Sequence, residues 1–217
     1  TAVGSPCDGL GRMVARSNRS VGMGYRDSLA RAELLLRGLG AGDEHHFYWE
    51  HLAQLACPAL DAGVYQASIA ERHLALLFLL ERMSRDRPVI VWLDDLQWGA
   101  NTLLFLDQLL DSESEFPLLV IGTCQPDQLR DRVVEDAMLG RLRNRENCAV
   151  FPVGPLGPAD CRSLVKNILG FEGSLTDEVV RSCDGNPLFA IQLVGDWVER
   201  GVLEVGEYGF RLREGEE

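Results

Sequence analysis

The sequence predicts an α/β fold built on a parallel sheet, with a small helical region after it. Three observations carry this expectation. Pro88-Val-Ile-Val-Trp-Leu93 and Pro117-Leu-Leu-Val-Ile-Gly-Thr123 are continuously apolar and rich in β-branched residues, the pattern of strands covered on both faces. A helical pattern over residues 101–111 stands between them, giving the strand–helix–strand order from which parallel sheets are built. Beyond Gly154 the apolar runs stop and helical patterns take over.

In chain order, residues 1–24 are rich in Gly, Ser, Arg and Met, with a helix expected over 10–16. Residues 28–37 form an amphipathic helix, because Leu29, Ala32, Leu35 and Leu36 share a face and Gly38 and Gly40 stop it. Asp43 is placed to cap a helix over 44–57 that turns Phe47, Leu52, Leu55 and Ala56 inward and ends at Pro58. Residues 68–85 form a long helix with Glu71, Arg72, Glu81 and Arg82 toward water. After the two apolar strands come a helix over 128–143 and a third strand, Ala149-Val-Phe-Pro-Val153. Helices over 158–169, 176–182 and 187–200 follow, and a hairpin of 202–205 with 210–213 closes the chain. The expected division is an α/β core over 1–154 and, over 155–217, a helical part with the start of a winged-helix-like region.

The chain has 217 residues, 46% of them hydrophobic, with 33 Asp+Glu against 21 Lys+Arg for a formal net charge of −12. There is ample apolar material for a core, which excludes a disordered chain. The acidity argues against nucleic-acid binding, which requires a cationic surface. No run of about 18 apolar residues occurs, so no membrane partner is expected. The six cysteines, at 7, 57, 124, 148, 161 and 183, include no C-x-x-C pair. They read as small buried hydrophobes in a reducing, cytoplasmic setting. The chain opens on Thr1 and closes on Glu216-Glu217, and is expected to be a piece of something longer.

The segment richest in chemistry is Val89-Ile-Val-Trp-Leu-Asp-Asp-Leu-Gln-Trp98. An apolar strand ends in two carboxylates, at the edge where open α/β sheets bind ligands. One carboxylate suits Mg²⁺, a hard cation that takes oxygen ligands and keeps several waters. The other suits a water attacking a phosphoryl group. This resembles the Walker B arrangement of P-loop NTPases. Thr123, at the same end of the neighbouring strand, reads on the residues alone either as a polar group in that crevice or as a turn residue. Gly185-Asn-Pro187 reads as a turn leading into a helix with proline in its first turn.

Together these motifs resemble one family. Leu93-Asp-Asp-Leu-Gln-Trp-Gly-Ala-Asn-Thr-Leu-Leu, Leu119-Val-Ile-Gly-Thr-Cys-Gln-Pro-Asp-Gln-Leu129 and Cys183-Asp-Gly-Asn-Pro-Leu-Phe-Ala-Ile-Gln-Leu193 are similar, in order and spacing, to motifs of the STAND branch of AAA+-related ATPases. Trp197-Val-Glu-Arg-Gly-Val-Leu-Glu204 extends the resemblance, which spans residues 64–213. The resemblance implies a P-loop NTPase-like sheet with a helical lid, a module of large bacterial signalling regulators often fused to a Ser/Thr protein kinase. It implies Mg²⁺ and ATP as cofactors, with Asp94 on the metal side, Asp95 as catalytic base, Thr123 as sensor near the γ-phosphate and Pro187 beside the adenine. The implied partners are neighbouring domains of the same polypeptide, including kinase and helical repeats, with nucleotide-dependent self-association.

The chain departs from that pattern in two places. No G-x-x-x-x-G-K-[ST] phosphate loop occurs. The nearest string, Gly9-Leu-Gly-Arg-Met13, follows no apolar strand and lacks a hydroxyl at position 13. The loop and its strand are therefore expected upstream of Thr1, with Gly4-Ser-Pro6 matching a later segment. Without that strand, the sheet loses a partner and 118–123 keeps an open apolar edge. Gln125 stands where the family carries Arg. The alternative to an ATP switch is a nucleotide-independent scaffold that keeps the fold. His45, His46 and His51 with Glu44 and Glu50 match no strong metal signature and read as a solvated helix end.

Overall fold

The first unit is a helical layer laid against two parallel strands. The computed structural model describes residues 9–57, 64–111, 116–169, 174–206 and 209–212, which divide into a unit ending at Val150 and a unit beginning at Phe151. In the first, α1 (Gly9–Ser17), α2 (Tyr25–Gly38), α3 (His46–Ala56) and α4 (Ile69–Ser84) precede β1 (Val89–Leu93), α5 (Ala100–Asp111), β2 (Leu118–Gly122) and α6 (Val133–Arg143). Mixed α/β architecture, mostly helical, is what the chain adopts.

Local chemistry explains the elements. Ser68 caps α4 in a reciprocal box: its hydroxyl accepts from the Glu71 N–H (3.2 Å) and the Glu71 carboxylate accepts from the Ser68 N–H (2.7 Å). Asp43 does not cap α3. It sits in a short 3₁₀ turn and its carboxylate accepts from Arg37 instead. In α3, Leu52 and Leu55 turn inward as expected, but Phe47 is exposed and Trp49, His51 and Gln54 are buried. A residue whose side chain can hydrogen-bond or stack tolerates burial that a simple apolar count misses: Gln54 donates to the Tyr65 carbonyl and accepts from the Ala67 N–H, both at 2.8 Å. Gly11 lets α1 meet α3 backbone to backbone, since a Cβ there would lie 2.5 Å from the Leu55 carbonyl oxygen. The core contains Leu10, Leu36, Leu52, Leu76, Leu103 and Phe105, each at most 1% exposed.

The sheet departs from expectation in two ways. β1 and β2 pair in parallel, Val89 opposite Leu118 through Leu93 opposite Gly122. Burial along β1 alternates, however, so only one face is covered. Ile90, Trp92, Leu119 and Ile121 share the other face and stay exposed, from 41% at Ile121 to 68% at Trp92. The expected third strand at 149–153 is not a strand; Val150, Phe151 and Val153 are all exposed. The segment has strand composition, but a strand needs a ladder partner, and Pro152 offers no N–H. Beside β1, an apolar cavity of about 130 Å³ opens between α1 and α4, lined by Met13, Leu76, Leu80, Met83 and residues 89–92.

In the second unit, α7 (Pro158–Leu169), α8 (Ser174–Ser182) and α9 (Pro187–Arg200) are followed by the antiparallel pair β3 (Leu203–Gly206) and β4 (Gly209–Leu212). Its core holds Cys161, Val165, Val179, Cys183, Ala190 and Trp197. Asn186 caps α9, its Oδ1 accepting from the N–H groups of Leu188 (3.0 Å) and Phe189 (3.2 Å), and Gly201 ends it at φ +65°. Among the described residues no helix is long and apolar enough to cross a membrane. Gly4-Ser-Pro6, Cys7, Pro58 and Arg213, singled out above, lie outside the described residues.

Two measurements test this packing. Replacing Ile121 by Lys puts a charge on the bare sheet face; it is expected to reduce concentration-dependent association in sedimentation velocity while leaving the melting temperature nearly unchanged. At the end of α6, Arg145 donates to Asp107 (2.7 Å) and Asp111 (2.6 Å) of α5. The Arg145 guanidinium holds the Asp111 carboxyl below its ordinary value. The stabilisation is therefore present at neutral pH and lost as pH falls through that lowered value. Arg145→Met should lower the melting temperature at neutral pH, and the gap from wild type should shrink as acid protonates Asp111.

Candidate functional site

The polar corner of the first unit is built where β1 and β2 end side by side. The Thr123 N–H donates to the Leu93 carbonyl and the Leu96 N–H donates to the Thr123 carbonyl, both at 2.9 Å, so Thr123 ties the end of β2 to the end of β1 and to the turn that follows it. Gly122 makes room for the turn that follows: a Cβ there would lie 2.5 Å from Leu96 Cδ1. The chain then reverses at Asp95, which adopts the left-handed conformation at φ +56° and ψ +49°. That region costs an ordinary L-residue roughly 1–2 kcal/mol, and Asp is among the few that visit it. Asp94 and Asp95 are thereby held at the strand end rather than continuing along β1.

Three of the expected site residues meet here. The Thr123 hydroxyl donates to Asp94 Oδ1 and accepts from the Asp95 N–H at 3.0 Å. Asp94 is exposed; Asp95 and Thr123 are half-buried. Pro187, the fourth, opens α9 in the second unit, in the first-turn position where its missing N–H costs nothing.

Three glutamines complete the corner; Gln97 and Gln128 stand inside the motifs quoted above, but nothing in the sequence assigned them a role at the site. Gln97, fully buried, donates to Asp95 Oδ1 (2.9 Å) and accepts from the Gln125 N–H (3.1 Å). The Gln125 side chain donates to the same Asp95 oxygen (3.2 Å) and accepts from Gln128 (2.6 Å). Two amides thus aim the Asp95 carboxylate, and Gln125 is occupied with it rather than offering a positive charge. Trp98 is exposed, with the Arg132 guanidinium 3.9 Å above its ring, and Arg132 also pairs with Glu135 at 3.0 Å. Burial raises the Cys124 thiol above its ordinary pKa, an effect partly opposed by Arg143, so Cys124 does not present a thiolate nucleophile at neutral pH.

The donor set suits a hard cation. An exposed carboxylate, a second carboxylate and a hydroxyl supply only oxygen ligands, and Mg²⁺ commonly takes one or two carboxylates together with water and phosphate oxygens. Among the described residues no group of three or more His, Cys, Asp and Glu side chains could hold a metal on its own, so a cation here would need oxygens from its ligand. A phosphate cradle is a different matter. Gly9-Leu-Gly-Arg-Met13 lies within α1, and Gly11 is spent on helix packing. The histidines are not the solvated helix end expected: His51 is buried and His45 is half-buried against Phe78 (4.9 Å), and of the three only His46 is exposed.

No protein-family model, curated protein or solved structure matches this chain.

Removing the buried amide should unsettle the whole corner. Gln97→Leu leaves the Gln125 N–H without its partner and takes one of the two amide donors from Asp95 Oδ1, and is expected to destabilise the chain by about 2 kcal/mol, read from the urea midpoint. Gln128→Leu, at the exposed end of the chain of amides, should cost less than half of that.

Proposed function

We propose that the chain is part of an ATP-dependent switch module, related to the STAND ATPases, in a multidomain signalling protein. The observation that carries the reading is the meeting of Asp94, Asp95 and Thr123 at the carboxyl ends of two parallel strands, where α/β sheets place their ligands. The resemblance of three ordered motifs supports the nucleotide as ligand.

In this reading Asp94 holds Mg²⁺ through its carboxylate and Thr123 keeps that carboxylate turned. When bound, the metal supplies charge neutralisation on the phosphate oxygens. Asp95, aimed by Gln97 and Gln125, orients the attacking water and accepts its proton. Pro187 and the Asn186 cap lie in the lid segment that would border the adenine. These 217 residues hold no G-x-x-x-x-G-K-[ST] loop, so the reading requires a phosphate-binding loop and its strand from elsewhere in the polypeptide, which would complete a P-loop NTPase-like sheet. Neighbouring domains of the polypeptide, including a kinase and helical repeats, are the partners that feel the switch, with nucleotide-dependent self-association, and the setting is cytoplasmic.

A second reading rests on the uncovered sheet face: a domain that keeps the architecture but serves as a nucleotide-independent scaffold. The two part on one experiment. In the polypeptide that carries this chain, Asp95→Asn is expected to lower ATP turnover by about 100-fold or more while ATP affinity stays within a few-fold. Equal turnover by the variant and the wild type rejects Asp95 as the base, and no Mg²⁺-dependent ATP binding at all favours the scaffold. For the 217 residues alone, calorimetric titration with Mg-ATP is expected to show no micromolar binding, because the phosphate loop is lacking. A micromolar dissociation constant would refute that part of the reading.

A further inference from the structure

Two cysteines that are 22 residues apart in sequence meet in the core of the second unit. Cys161 lies in the first turn of α7, its N–H donating to the Gly157 carbonyl at 2.9 Å. Cys183 follows α8, its N–H donating to the Val179 carbonyl at 2.9 Å. Their Sγ atoms are 2.8 Å apart, and both residues are at most 2% exposed. The apolar neighbours in this core include Val165, Val179, Ala190 and Trp197. A disulfide needs sulfur atoms about 2.05 Å apart, so small rotations about the two Cα–Cβ bonds would bring these thiols to bonding distance.

We propose that Cys161 and Cys183 form a reversible disulfide that staples α7 to the turn between α8 and α9. The position gives the bond a mechanical purpose. Cys183 opens the turn Cys183-Asp-Gly-Asn186: its carbonyl accepts from the Asn186 N–H at 2.7 Å, and the Gly185 carbonyl accepts from the Leu156 N–H at 2.9 Å. Gly185 stands at φ +75°, where a Cβ would strike Leu156. The turn is thus already tight, and a covalent tie from Cys183 to α7 would hold the Asn186 cap and the start of α9 against the rest of the unit. A unit this small gains much from such a staple, because a short chain buries too little surface for its core alone to supply a wide margin of stability.

The chemistry is thiol–disulfide exchange with a disulfide oxidant, oxidised glutathione. One cysteine loses its proton and its thiolate attacks a glutathione sulfur, forming a mixed disulfide and expelling one glutathione thiolate. The second cysteine, deprotonated in turn, attacks the protein sulfur of that mixed disulfide and expels the other glutathione. Two cysteine thiols are oxidised to one disulfide, one glutathione disulfide is reduced to two glutathione thiols, and the two protons end on those products. Burial raises the Cys161 thiol above its ordinary pKa, so exchange proceeds through transient opening of the unit, and the switch is slow. In a reducing compartment a bond of this kind reports redox state rather than standing permanently.

The test uses the whole 217-residue chain, refolded from denaturant in a glutathione redox buffer so that burial does not limit access. Free thiols are blocked with N-ethylmaleimide and the linked peptides are identified by mass spectrometry. The expected result is a Cys161–Cys183 linked peptide in the oxidising buffer that disappears with dithiothreitol. Oxidation should also raise the thermal midpoint of the second unit by on the order of 10 °C, and Cys183→Ala should abolish that dependence on redox state. Recovery of both cysteines as blocked or singly glutathionylated peptides, or linked to other cysteines, overturns the proposal. The linkage is read on the wild-type chain, so the result stands whether or not the variant folds.

Discussion

Thr123 ties the ends of the two parallel strands together, and the placement of both carboxylates depends on that tie. Its backbone hydrogen-bonds to Leu93 and Leu96, and its hydroxyl is shared between Asp94 and the Asp95 N–H. Each such bond contributes only about 1 kcal/mol net, but an unpaired polar group at a half-buried corner costs more than a made bond contributes. The left-handed Asp95 is tolerated because its N–H and its carboxylate are both engaged. The corner is therefore cooperative: strand end, reversed turn and glutamine network hold one another.

Around that corner the packing is uneven in an informative way. One face of the sheet is continuous with the core through Val89, Val91 and Leu93, while Ile90, Trp92, Leu119 and Ile121 lie on the uncovered face. A two-stranded parallel pair is the least self-sufficient of sheets, since parallel strands normally lie between two layers. The helical layer compensates on one side, where α1 and α3 approach so closely that Gly11 has no room for a side chain. The second unit solves its own packing with a small apolar core, an asparagine cap and two touching thiols.

Much of the architecture was legible because it follows local rules. The apolar runs at 89–93 and 118–122 became strands, and Pro187 after Asn186 opened a helix. The carboxylates and Thr123 were legible as a group because a parallel pairing brings equivalent strand ends to the same edge. The segment at 149–153 misled because strand composition does not supply a ladder partner. Phe47 misled because, in a helix holding Trp49, His51 and Gln54, several faces compete for burial.

The sequence by itself determined most of the helices, the strands at 89–93 and 118–122, the acidic strand end and the turn before α9, because propensity, capping and periodicity act over a few residues. The three-dimensional packing decided which strand face is covered, that Gln97 and Gln125 aim Asp95 from across the corner, and that Cys161 meets Cys183. The Gln125–Asp95 and Cys161–Cys183 contacts join residues 30 and 22 positions apart. They depend on how helices stack and strands register, which no short window of sequence encodes.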